Sequence, residues 1–72
     1  MPTPIRAPLT GRVWKIERAV GDTVAAGDPV IILESMKMQN ELKAPRTGTV
    51  TQIAVNKGQT VEKGALLVVI GD

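Results

Sequence analysis

The chain has 72 residues, with nine basic and seven acidic side chains giving a net charge of +2 at neutral pH, and it contains neither cysteine nor histidine. A chain of this size makes one small domain that buries only about 60% of its unfolded surface, with no disulfide or thiolate metal site to reinforce it. The missing residue types also remove the common zinc and non-haem iron ligand sets, and with them the Ser-His and Cys-His nucleophile pairs. Basic and acidic residues are interspersed along the sequence, and Trp14 is the only aromatic. Both features argue against a nucleic-acid partner, which wants clustered cations or several stacking rings. No apolar run approaches the ~20 residues of a membrane span, and Met1 to Arg6 lacks the apolar core of a signal peptide, so a soluble cytoplasmic protein with no membrane insertion is expected. Pro2 and Pro4 also read as the end of an extended linker, which leaves open a free-standing protein or a piece of a longer polypeptide.

Apolar residues nowhere recur at helical spacing over a full window, and glycines divide the chain into short runs, a pattern that predicts an all-β fold. Ile5 to Ala7 reads as a short edge strand, where nearby prolines are tolerated, and Thr10-Gly11 as a turn. Arg12 to Glu17 is rich in strand formers, with Trp14 and Ile16 expected on one face and Val13 and Lys15 on the other. Trp14 is expected in the core or at its rim. Gly21-Asp22 and Ala26-Gly27-Asp28 are turn signals around the strand fragment Thr23-Val24. Pro29 to Ser35 is an almost wholly apolar strand, as expected where both faces are at least partly covered. Met38 to Ala44 is a more polar strand. The remaining strands are Thr49 to Val55, Thr60-Val61 and Leu66 to Ile70, with turns at Thr47-Gly48, Lys57-Gly58 and Lys63-Gly64.

Two segments, residues 7–34 and 44–71, match without a gap at a shift of 37 positions. Ala7/Ala44, Pro8/Pro45, Thr10/Thr47, Gly11/Gly48, Val13/Val50, Ile16/Ile53, Gly21/Gly58, Thr23/Thr60, Val24/Val61 and Gly27/Gly64 recur in order. The matched glycines are expected where a side chain clashes with the required backbone. Each copy is too small to bury a core alone, so the economical arrangement packs the two face to face about a pseudo-twofold axis as a flattened barrel or sandwich. Residues 1–72 then form one domain. Lys37 falls in the joint between the copies, and its equivalents lie just off the chain ends, so the joint and the termini are expected at opposite poles.

At that joint, two strands are separated by only Met36-Lys37. A two-residue hairpin requires positive φ and normally uses Asn-Gly, Asp-Gly or Gly. Methionine and lysine there cost an expected strain of about 1 to 3 kcal/mol, and such breaks of local rules gather at functional sites.

The run Glu34-Ser35-Met36-Lys37-Met38, with Gly27-Asp28-Pro29-Val30 before it and Leu42-Lys43-Ala44-Pro45 after it, resembles the biotinyl domain of biotin-dependent carboxylases and decarboxylases. The resemblance extends from about Ile5 to Ile70. It implies a flattened eight-stranded β-barrel with quasi-twofold symmetry and a modified lysine at a hairpin tip. It also implies that Lys37 carries biotin in amide linkage, supplied as an adenylate by a biotin protein ligase, so that the chain is a biotin carboxyl carrier between a biotin carboxylase and a carboxyltransferase or decarboxylase. An ordinary lysine amine is protonated at pH 7, so activation belongs to the ligase and its adenylate. Met36 and Met38 are flexible, polarizable flanks suited to several partner surfaces, with packing at the barrel end as the plainer alternative. Glu34 is a candidate for ligase recognition or simply a solvated carboxylate. The gapless match of the halves leaves no room for the "thumb" that some biotinyl domains insert in the first half.

Two other readings compete. A lipoyl carrier resembles this chain in fold, but there the lysine typically follows aspartate and precedes alanine. An unmodified β-barrel interaction module leaves Lys37 inert. An enzyme is disfavoured by the absence of His and Cys and of any phosphate-cradling loop.

Overall fold

The computed structural model describes residues 2–71, and all regular structure in them is β. The strands are β1 (Thr3–Arg6), β2 (Gly11–Ile16), β3 (Thr23–Val24), β4 (Pro29–Ser35), β5 (Met38–Lys43), β6 (Gly48–Ile53), β7 (Thr60–Val61) and β8 (Leu66–Gly71). They form two antiparallel four-stranded sheets, ordered β1-β8-β6-β3 and β5-β4-β2-β7. This is the expected all-β flattened barrel, with strand ends shifted by a residue or two from those read in the sequence. None of the described residues forms a helix long and apolar enough to cross a membrane.

The two sheets correspond strand for strand under the shift of 37. Asn40↔Leu33 and Leu42↔Ile31 in the β5–β4 pair match Thr3↔Ile70 and Ile5↔Val68 in the β1–β8 pair. The β2–β4 pair and the β6–β8 pair even share the same bulge, between Val13 and Lys15 in one and Val50 and Gln52 in the other. Turn hydrogen bonds repeat too. The Gly21 N–H donates to Val50 O at 2.8 Å and the Gly58 N–H to Val13 O at 2.7 Å, while Gly27 N–H to Ala44 O is echoed by Gly64 N–H to Ala7 O. Side-chain caps follow: Ala19 N–H to Asp22 Oδ2 at 2.9 Å pairs with Asn56 N–H to Gln59 Oε1 at 3.0 Å.

That bulge corrects one expectation. The extra residue puts Val13 and Ile16 on the inner side, so Trp14 does not share a face with Ile16 and is 38% exposed at the rim beside exposed Lys15. The core is built from symmetric apolar pairs: Ala7/Ala44, Val13/Val50, Val24/Val61, Val30/Leu67, Ile31/Val68 and Leu33/Ile70, all buried. Ile5 is buried and its mate Leu42 packs against the same cluster. One pair breaks the rule. Val55 is buried, whereas its equivalent Arg18 is half-exposed, donates from Nε to Pro29 O at 3.1 Å and faces Asp28 at 3.9 Å.

The matched glycines divide into two kinds rather than sharing one reason. Gly27 has φ +91° and open space where a Cβ would stand, so its constraint is the left-handed backbone itself. Gly11, in contrast, lies where an added Cβ would come 2.7 Å from Glu34 O, so its constraint is the close approach of β2 to β4.

Gly27→Val forces a β-branched side chain into that left-handed conformation and is expected to cost about 1 to 3 kcal/mol, a fall in Tm of roughly 5 to 20 °C for a domain this size. Thermal unfolding followed by circular dichroism measures it, and an unchanged Tm would contradict the turn.

Candidate functional site

The β4–β5 hairpin runs with few interruptions from Pro29↔Lys43 to Ser35↔Met38, and only Met36 and Lys37 remain to reverse the chain. Their φ values are +53° and +64°, the only positive ones among the described non-glycine residues. Positive φ at both central positions is the primed turn whose twist suits a two-residue hairpin. The expected rule-breaking turn is therefore present. An L side chain in that region costs of order 1 kcal/mol or more per residue. Six cross-strand pairs on one side and the β2–β4 pairing on the other hold it there.

The side chains at the tip are held out rather than packed. Met36 is 92% exposed and Met38 67%, and Lys37 is exposed as well. Barrel-end packing is thus excluded for both methionines. Among the described residues Lys37 has neither a hydrogen bond nor an ion pair. Glu34 is half-buried, paired in register with Arg12 on β2 and Gln39 on β5, and its side chain likewise has no partner among the described residues. The structure brings Glu34, Met36, Lys37 and Met38 into one short stretch, with Glu34 set back on the strand.

Gly11 was not among the residues singled out for the site, yet it lets β2 pass close to the tip, where an added Cβ would come 2.7 Å from Glu34 O and 3.4 Å from Ser35 Cβ. Its pairing with Gly48 at the shift of 37 was the available signal. No group of three or more acidic side chains among the described residues could hold a metal ion.

A strained hairpin tip of a duplicated two-sheet body thus presents a primary amine with no partner among the described residues. The family described as "Biotin-requiring enzyme" matches residues 1–70, and the chain belongs to that family. It is 48% identical over 64 residues to the biotin carboxyl carrier protein of Streptococcus mutans, covering 89% of this chain and 49% of that one. It is 38% identical over 66 residues to the biotin carboxyl carrier protein of acetyl-CoA carboxylase of Solanum lycopersicum, covering 92% and 94%. Its backbone superposes on the solved urea carboxylase of Kluyveromyces lactis with a TM-score of 0.93 at 42% identity, covering 99% of this chain and 6% of that one. The chain therefore spans about half the length of the streptococcal relative and a small part of the urea carboxylase chain.

The double change Met36→Asn/Lys37→Gly supplies the residues a primed turn prefers and is expected to raise stability by about 1 kcal/mol, seen as a higher Tm. A Tm that stays level or falls would remove the strain assigned to this turn.

Proposed function

We propose that residues 1–72 form a single biotinyl domain, that Lys37 is the biotin attachment site, and that the chain acts as a carboxyl carrier in a biotin-dependent carboxylase or decarboxylase. The observation that carries this reading is exposed Lys37, with no partner among the described residues, on a two-residue turn between exposed Met36 and Met38, in a member of the biotin-requiring family.

Amide formation at that nitrogen removes one positive charge. Because Lys37 holds no ion pair among the described residues, the loss breaks no contact within them. No carboxylate belonging to the described residues bonds to Nζ, so activation of the amine falls to a biotin protein ligase and its adenylated biotin. The bound group supplies a ureido nitrogen that takes up CO2 at one active site and gives it up at another. Lys37 tethers, the flanking methionines mould to each partner surface, and the hairpin fixes the direction of the arm. Glu34, near the tip yet half-buried, serves ligase recognition at most through its exposed portion. The partners are the ligase, a biotin carboxylase and a carboxyltransferase or decarboxylase, encountered in the cytoplasm. A lipoyl arm is disfavoured by the Met-Lys-Met frame, and the curated relatives described above are named for biotin.

Lys37→Arg is expected to abolish uptake of biotin on incubation with a biotin protein ligase, biotin and ATP, while the Tm stays within about 1 °C of wild type because the substitution is confined to an exposed tip. Intact-mass spectrometry reads the product. A biotinyl group on any other lysine, or a wild-type chain that takes up none, would overturn the assignment.

A further inference from the structure

An open groove of about 430 Å³ lies on the outer side of β2, lined by Arg12, Val13, Trp14, Lys15, Lys57 and Gly58. The pseudo-twofold supplies its internal control. The same backbone at the other end of the molecule carries Thr49, Val50, Thr51, Gln52, Val20 and Gly21, and the hydrogen bond that docks the flanking turn is preserved in both, Gly58 N–H to Val13 O and Gly21 N–H to Val50 O. One copy thus folds with neutral residues where the other places three cations and the only aromatic, so folding does not require them.

The charge is also available. Arg12 and Lys57 are exposed and have no hydrogen-bond or ion-pair partner among the described residues, while Lys15 shares its charge with Glu17 at 3.1 Å. These three are a third of the chain's nine basic side chains, gathered in one groove whose lining includes no acidic residue. Its position is equally specific. Arg12 is the register partner of Glu34, three residues before Lys37, so at ~3.3 Å per strand residue the groove opens within roughly 10 Å of the Lys37 backbone.

We propose that the groove is a docking surface for an acidic face of the biotin protein ligase that acylates Lys37. The inference rests on the attachment role of Lys37 given above. The ligase has to bring its adenylated biotin to bonding distance of the bare Lys37 amine, so its surface presses on whatever lies within roughly 10 Å of that residue, whereas the carboxylase partners are reached through the added length of the biotin arm. Exposed complementary charge raises the rate of such an encounter without creating a complex too tight to release, and a half-exposed tryptophan beside it supplies the apolar anchor.

The test compares kcat/KM for biotin transfer by the organism's own ligase at low and high salt, using Arg12→Gln/Lys57→Gln and, as a control with the same change in net charge, Val20→Glu/Thr49→Glu at the symmetry-related surface. The expected result is a loss of about tenfold at low salt for the groove variant, carried mainly by KM and vanishing at high salt, with the control close to wild type. Arg12→Glu/Lys57→Glu should deepen that loss at an unchanged Tm. Equal kcat/KM for the groove variant and wild type overturns the inference, as does an equal loss in the control or a defect confined to the later carboxylation steps. If wild type itself accepts no biotin, the attachment role fails along with it, whereas normal labelling of every variant removes the groove alone.

Discussion

Everything in this molecule depends on an exchange of short strands between its two halves. β3, from the first copy, completes the sheet of β1, β8 and β6, and β7, from the second, completes the sheet of β5, β4 and β2. Neither half holds a finished sheet without the other. The apolar residues of both copies then meet in a single cluster, from Ile5 to Ile70, that a 28-residue segment could not enclose. Interlocking thus replaces what disulfides or a metal do in other domains of this size.

The hairpin tip inherits its rigidity from the same device. β4 is an interior strand, paired with β5 on one side and β2 on the other, and Gly11 brings β2 close beneath the turn. With both neighbours fixed, the register leaves two residues for the reversal, and the positive φ of Met36 and Lys37 follows whatever their own preference. The half-turn that relates the sheets maps this tip onto its equivalent position, where β8 finishes and β1 begins. In a body 33 Å long, that equivalence puts the Lys37 turn at one pole and the start of β1 and finish of β8 at the other, while the expectation for the chain termini themselves lies outside the described residues.

Much of this was legible in the sequence because duplication reports on itself. Ten identities in order at one shift, with no gap, fix which strands are equivalent, and the joint around Lys37 follows. Face assignment in β2 was not legible. A bulge adds one residue without any compositional mark, so strict alternation placed Trp14 with Ile16 when Val13 and Ile16 share the core side. The two glycine roles were likewise indistinguishable, since a residue needed for φ and one needed for close approach read the same. The cationic groove escaped for a topological reason. Lys57 is 45 positions from Arg12 and joins it only because β7 crosses to β2, so charges that look dispersed along the chain converge in space.

Duplication also separates what the fold demands from what it merely permits. Positions where the copies agree, such as Val13/Val50 and Gly27/Gly64, meet constraints that apply to both, namely burial and backbone conformation. Positions where they disagree on an equivalent backbone are released from those constraints and respond to something else. Arg18 against Val55 is a substitution absorbed internally, since the guanidinium finds Pro29 O and Asp28 within its own half. Arg12 and Lys57 against Thr49 and Val20 are not absorbed, as neither cation finds a partner among the described residues. A charge left exposed and uncompensated beside the one strained turn has its natural counterpart on another molecule. By that criterion the working pole comprises Lys37 with its methionines and the groove beside them, while the opposite pole shows the fold stripped to what it needs.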